Sequence, residues 1–201
     1  MGLSPLYVFI CMVGFGAVHS LLASPGAKGL AQRGLGPAAS RVYRLSYNIL
    51  AVLSLLPGLA LAWLLPDRTI YTIPAPWVYL ALVLQVLALV ALAVGVWQTG
   101  LLPFSGLSQL LAPASEEQQK LVTGGLYRWV RHPLYTASLV FIWLLPRMSA
   151  NILVFNLGAT LYILVGIVFE ERKLLNTFGR AYAEYRQRTP MLIPGLGRPR
   201  R

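Results

Sequence analysis

The stretch PAPWVYLALVLQVLALVALAVGVWQTGLL fills residues 74–102 and holds no charged side chain. A helix rises about 1.5 Å per residue, so roughly 20 apolar residues cross a bilayer core. This run is long enough to do so, and shorter relatives of it cover residues 3–23, 42–65, 134–146 and 152–169. The run at 134–146 is short, and only Arg147, Met148, Ser149 and Ala150 part it from the next. Those two runs read as the arms of a tight helical hairpin. The expected fold is an all-α integral membrane protein. It has about five transmembrane helices, a C-terminal hairpin and an interfacial amphipathic helix on the cytoplasmic side. One membrane domain spans residues 1–201, with a three-helix part at 1–115, the hairpin and C-terminal helix at 116–194, and a basic tail at 195–201.

Composition points the same way. Of the 201 residues 57% are hydrophobic and 11% charged, against about 25% charged in a globular chain. The mean hydropathy is +0.64, which leaves too little polar surface for a soluble core. Soluble, secreted and disordered classes are excluded. Cys11 is the single cysteine, so no disulfide forms within the chain and no Cys-based zinc site exists. His19 and His132 are too far apart in sequence for metal-ligand spacing. The net charge of +11 reports topology and anionic lipid rather than nucleic acid. The first run lacks a basic flank and a small-residue cleavage site, and reads as a retained helix rather than a signal peptide.

The basic residues orient the chain. In a five-span arrangement Lys28, Arg33, Arg41, Arg44, Lys120, Arg128, Arg131, Arg172, Lys173, Arg180, Arg186, Arg188, Arg198, Arg200 and Arg201 share one side. Only Arg68 and Arg147 fall on the other. The positive-inside rule then places the N-terminus outside and the C-terminus in the cytoplasm. Glu116, Glu117, Glu170, Glu171 and Glu184 lie on the cytoplasmic side too, so the polar chemistry is expected there. Alanine- and leucine-rich spans point to a prokaryotic inner membrane.

Four segments hold candidate chemistry. Gly124-Gly125-Leu126-Tyr127-Arg128-Trp129-Val130-Arg131-His132-Pro133-Leu134-Tyr135 runs from a loop into the fourth span. The glycines permit a tight turn and close backbone approach. Pro133 suits the first helical turn, and Arg131 and His132 then sit where a helix N-terminus favours an anion. Tyr127, Trp129 and Tyr135 offer flat faces for stacking or gripping a cation. A juxtamembrane aromatic and basic belt explains the same residues equally well. Glu170-Glu171-Arg172-Lys173 closes the last span. Lys173 could simply neutralise Glu170 at i+3, but the hairpin should bring this acidic pair to Arg131-His132. An anion site beside carboxylates suits a zwitterionic, amino-acid-like ligand. Leu174, Phe178, Tyr182 and Tyr185 form one apolar stripe, fitting an interfacial helix that anchors to the inner leaflet or roofs the hairpin mouth. His19 and Asn48 either bond across helices or line an acceptor pocket, and Cys11 reads as a packing residue.

Together these pieces resemble the integral-membrane methyltransferases of the isoprenylcysteine carboxyl methyltransferase and phospholipid methyltransferase superfamily. The shared pattern is Gly125-Leu126-Tyr127, Arg131-His132-Pro133-Leu134-Tyr135, Glu170-Glu171, Phe178-Gly179-Arg180-Ala181-Tyr182-Ala183-Glu184-Tyr185 and Pro190-Met191-Leu192-Ile193-Pro194. Ala137 stands where the family often has glycine. The His19-Ser20 and Tyr43-to-Asn48 elements resemble the bacterial methanethiol S-methyltransferase-like or NnrU-like branch. The resemblance implies S-adenosylmethionine as methyl donor. It implies contacts to that cofactor from Gly125, Leu126, Tyr127, Arg131, His132, Tyr135 and Glu170. Glu171, Arg172 and Tyr182 would lie where cofactor and acceptor meet.

The implied reaction is direct in-line methyl transfer to a small or lipophilic acceptor: a thiol, a carboxylate or a lipid amine. Alignment and water exclusion are its main demands, with no metal, no covalent intermediate and no obligate protein partner expected. Arg172 or Arg186 would hold an acidic acceptor. Two other readings remain. A steroid 5-alpha-reductase-like enzyme also carries Arg-His-Pro-x-Tyr before a Tyr-rich C-terminus and uses a nicotinamide. A non-catalytic assembly factor or transporter needs polar groups near the midplane, for which Gln85 and Asn156 are candidates.

Overall fold

The structure is a computed structural model and describes residues 2–107, 110 and 120–196. Its helices are α1 (Ser4–Ala23), α2 (Pro25–Leu35), α3 (Pro37–Leu64), α4 (Trp77–Thr99), α5 (Leu101–Ser105), α6 (Pro133–Trp143), α7 (Ala150–Phe178) and α8 (Arg180–Arg188). A 3-10 turn covers Gly125–Arg128, and strands β1 (Thr69–Thr72) and β2 (Arg147–Ser149) pair in a two-stranded sheet. The chain is an all-α membrane protein. Glu116, Glu117, Arg198, Arg200 and Arg201 lie outside the described residues.

Four helical stretches are long and apolar enough to cross a membrane: Ser4–Ala23, Arg41–Leu64, Trp77–Thr99 and Ala150–Phe178. Large apolar side chains stand exposed along them, Val83, Val86, Leu87 and Val90 on α4 among these, as lipid-facing surface requires. The run at 134–146 behaves differently. It is helical only over Pro133–Trp143, about 16 Å at 1.5 Å per residue. Beyond Trp143 the chain turns through residues 144–146 and then enters the strand β2, where each residue advances about 3.3 Å. Extended backbone at the membrane needs partners. One is provided where the Ile73 N–H donates to Pro146 O at 2.8 Å.

The chain divides into two compact units. The first contains α1, α2, α3, α5 and the opening turns of α7. Met12 is nearly buried there, lodged against two glycines. A Cβ on Gly58 would lie 3.3 Å from Met12 Sδ, and one on Gly158 would lie 3.0 Å from Met12 Cβ. Such small residues let membrane helices approach closely. The start of α7 is held by two residues distant in sequence and one adjacent to it. Asp67 Oδ2 accepts the Asn151 N–H at 2.5 Å, Arg68 O accepts the Ala150 N–H at 3.0 Å, and Ser149 Oγ accepts the Ile152 N–H. A carboxylate there satisfies helix donors and opposes the positive end of the dipole. His19 and Asn48 both bond across elements: His19 Nε2 to the Tyr47 hydroxyl, and Asn48 Nδ2 to Ser105 O at 2.9 Å.

The second unit contains α4, the 3-10 turn, α6, the rest of α7 and α8. α4 and α6 pack at Gly95, where a Cβ would sit 2.7 Å from Leu134 Cδ2. Gln85 donates to Phe141 O at 2.9 Å. That carbonyl falls in the last turn of α6, where no intrahelical donor follows, so Gln85 has a structural partner. The Trp143 indole N–H donates to Thr160 Oγ1 at 2.9 Å, tying α6 to α7.

The C-terminal stripe is broken rather than continuous. α7 extends to Phe178, Gly179 adopts φ +53, and α8 restarts at Arg180. Leu174 and Phe178 therefore belong to the long helix, and Glu170 and Glu171 lie within it rather than at its end. α8 turns its aromatic side inward, with Tyr182 1% exposed, so it roofs the second unit instead of lying with that face on lipid.

Candidate functional site

The candidate site is built where α6 begins, on the side of α7 that carries its acidic pair. Pro133 opens α6 and His132 is its N-cap residue. The two residues before the helix use their backbone donors on the C-terminal segment: Arg131 N–H to Pro190 O at 2.8 Å, His132 N–H to Met191 O at 3.1 Å. The Thr136 hydroxyl, one turn on, lies 2.8 Å from Leu192 O and 3.1 Å from His132 O. The late Pro-x-x-Ile-Pro segment is thus a strap over the Arg-His-Pro turn.

Arg131 is held on all sides. Its Nε and Nη2 lie 2.7 and 2.6 Å from Glu171 Oε1. Its Nη1 donates to Thr189 O at 2.6 Å and Arg186 O at 3.1 Å, carbonyls at the C-terminal end of α8. A cation there complements the helix dipole. His132 lies between the two carboxylates, with Nε2 3.3 Å from Glu171 Oε1 and Nδ1 3.8 Å from Glu170 Oε2. Burial pulls its imidazole below the ordinary value, and the two acids only partly oppose this. It stacks on Tyr135 with ring centroids 5.6 Å apart. The structure therefore joins Arg131, His132, Tyr135, Glu170 and Glu171 in one cluster.

The two glutamates differ in environment. The Glu171 side chain is 14% exposed and ion-paired to Arg131, while that of Glu170 is 44% exposed. Successive helix positions turn by about 100°, and that turn gives one to the interior and the other to a more open side. Glu170 has oxygen lone pairs to offer a ligand; Glu171 is committed to Arg131 and His132. Tyr182 lies over this cluster, and burial with the charge of Glu171 raises its hydroxyl well above the ordinary range. That hydroxyl is buried and has no hydrogen-bond partner among the described residues. Tyr185 donates to Tyr127 O at 2.6 Å. Burial pushes the Tyr185 and Tyr127 hydroxyls up to about 12, so both are neutral donors at physiological pH.

Gly125 lies close against Gln98 of α4. It has φ +59, and a Cβ on it would sit 1.9 Å from Gln98 Nε2. Gln98 Oε1 accepts the Leu126 N–H at 3.2 Å. The close approach is to a side chain of α4, and the Leu126 donor is already used. Sequence reasoning missed Gln98, whose only signal was an amide at the end of an apolar run. Arg172 is not brought to the cluster. It is exposed, with its guanidinium 5.8 Å from the Phe169 ring centroid. Arg186, on α8, places Nη1 3.8 Å from Glu171 Oε2.

A family profile described as phospholipid methyltransferase matches residues 78–181. Methanethiol S-methyltransferase 2 of Bradyrhizobium diazoefficiens is 48% identical over 83 residues, 41% of this chain and 32% of that protein. Methanethiol S-methyltransferase of Mycobacterium tuberculosis is 51% identical over 69 residues, 34% of this chain and 28% of that protein. Protein-S-isoprenylcysteine O-methyltransferase B of Arabidopsis thaliana is 35% identical over 92 residues, 43% of this chain and 46% of that protein. The matched stretch spans about a third of the length of the two methanethiol enzymes. No solved structure matches the chain.

Proposed function

Because this chain belongs to the phospholipid methyltransferase family, we propose that it transfers a methyl group from S-adenosylmethionine to a small or lipophilic acceptor at the cytoplasmic membrane face. What carries the reading is the meeting of Arg131-His132 with Glu170-Glu171 beneath the unpartnered Tyr182 hydroxyl. A buried polar atom without a partner is costly, and a polar ligand would relieve that cost. The residues present fit such a donor. Glu170 would take its ammonium, the Tyr135 and Tyr127 rings its base or sulfonium, and Tyr182 a polar atom of the donor or acceptor.

When bound, the donor supplies an activated methyl group on a positively charged sulfur with a neutral leaving group. The chain's own residues then need to orient, desolvate and hold charge. Glu171 acts through Arg131, fixing the strap and α8, and is a positioning residue in this reading. His132 stays neutral at physiological pH, and its one ring N–H can serve Glu171 Oε1. Gly125, Leu126 and Tyr127 contribute a turn held rigid by Gln98. Arg186, rather than the outward-facing Arg172, is the basic residue placed to receive an acidic acceptor. The chain sits in the membrane as an integral protein; its alanine- and leucine-rich spans support an inner-membrane location, and a five-span arrangement, which would put fifteen of its seventeen basic residues on one side, supports an N-terminus outside and a C-terminus in the cytoplasm.

The test is calorimetric titration of detergent-purified protein with S-adenosylhomocysteine, with NADPH as the contrasting ligand and a Glu170→Ala variant. Binding of the homocysteine product that is lost in the variant supports the reading. Binding of NADPH alone moves the chain to reductase chemistry. Neither ligand binding to folded protein defeats both enzyme readings.

A further inference from the structure

Helix α2 carries a surface that the described residues of its own unit leave uncovered. It starts at a capped end, where Ser24 Oγ accepts the Ala27 N–H at 3.2 Å, and stops at Gly36 with φ +54. None of its residues is buried. It lies against α3, and Ala27 and Ala31, one turn apart, are only partly exposed. At 100° per residue, Leu30 and Leu35 flank that small-residue side, and they are 69% and 58% exposed. Gln32 and Arg33 occupy the opposite side, Lys28 lies at the boundary beside Leu35, and all three are exposed. No carboxylate pairs with Lys28 or Arg33 among the described residues.

We propose that α2 is an interfacial helix that recognises anionic phospholipid, with Leu30 and Leu35 in the acyl boundary and Lys28 and Arg33 on headgroup phosphates. Its position selects this occupant. Single residues, Ser24 and Gly36, join α2 to two helices that carry membrane-spanning stretches, so it is tethered at the bilayer surface. Its charges select the lipid, since α2 has two cations and no acid. An apolar flank with basic residues on the polar face is the pattern of interfacial helices, and phosphate-bearing lipid attracts Lys and Arg near the surface. α8, the segment expected from sequence to take this place, spends its aromatic side on the protein. The proposal does not depend on the reaction the chain catalyses.

The test uses full-length protein carrying Cys11→Ser, reconstituted in nanodiscs of phosphatidylcholine with phosphatidylglycerol. An environment-sensitive fluorophore is attached at Leu30→Cys, Leu35→Cys or Gln32→Cys in turn. Labels at 30 and 35 should be quenched by doxyl-labelled lipid, and the label at 32 by aqueous iodide. In native mass spectrometry, the Lys28→Gln, Arg33→Gln double variant should lose about 30-fold in preference for phosphatidylglycerol over phosphatidylcholine, from about fivefold per basic residue. Iodide reaching 30 and 35 as readily as 32 would overturn the insertion. Shielding of those labels from both quenchers would mean that protein covers α2, which also overturns it. An unchanged lipid preference in the double variant would overturn the recognition of charge.

Discussion

Arg131 and Glu171 are both largely buried and make two charged contacts with each other, while Arg131 makes two more to carbonyls at the end of α8, so removing one partner should be far worse than removing both. Their side chains are 11% and 14% exposed. Glu171→Leu leaves a guanidinium with no counter-charge, and breaking a buried pair from one side costs about 3–5 kcal/mol. Arg131→Met leaves Glu171 only the more exposed Arg186 at 3.8 Å as counter-charge and removes the donor to Thr189 O and Arg186 O, with a cost toward the lower end of that range. The double variant buries no charge. It loses mainly those two carbonyl bonds, each about 1 kcal/mol, giving about 2 kcal/mol in all. A coupling energy above about 3 kcal/mol is therefore expected. Reversible unfolding in mixed micelles, followed by tryptophan fluorescence and helical ellipticity, measures all four proteins. If Glu171→Leu costs less than about 1 kcal/mol, or if the two single costs simply add in the double, the lock does not exist. Arg131 would then be available to a ligand, and the assignment of Glu171 as a positioning residue would fail.

Three other outcomes are expected. Gly125→Ala forces a side chain into left-handed backbone, at about 1–2 kcal/mol, and displaces Gln98 from Leu126, at about 1–3 kcal/mol more; a paired Gln98→Ala change should relieve the steric part, visible as a partial recovery of melting temperature. His132 is held below its ordinary value by burial, whereas in the unfolded chain it binds a proton near pH 6.5. The unfolded state then takes up more protons, so stability should fall as pH drops from about 7 to 5, and an undiminished slope in His132→Gln would show that another group is responsible. Asp67→Ala removes the acceptor for the Asn151 N–H at the start of α7 and should cost about 0.5–2 kcal/mol, with local deuterium exchange rising at residues 150–153 if the cap is what holds that turn.

What was legible in the sequence follows a simple division. The membrane class came from runs such as residues 74–102, because hydropathy is additive along the chain and needs no knowledge of neighbours. The meeting of Arg131-His132 with Glu170-Glu171 was legible as well, since a short connection between two apolar runs forces their far ends together. Gly179 carried a visible breaker inside a helical stripe, and only the strength of the Leu174-to-Tyr185 pattern concealed it. The length of α6 was less legible, because hydropathy marks apolar residues without saying whether they are helical or extended.

The partners were decided by tertiary structure alone. Gln98 beneath Gly125, Asp67 on α7, Gln85 on the end of α6 and the strap of residues 190–192 join positions far apart in the chain. Which glutamate is buried and which is open depends on the rotation of α7 about its axis, and so does the outward turn of Arg172. One residue shifts that rotation by 100°, and no local preference of Glu170, Glu171 or Arg172 fixes it. It is set by packing within the second unit, through contacts such as Trp143 against Thr160. The sequence therefore determined the medium the protein lives in and the residues that gather at the candidate site, while the packing of its helices decided which of those side chains are locked in ion pairs and which stay open.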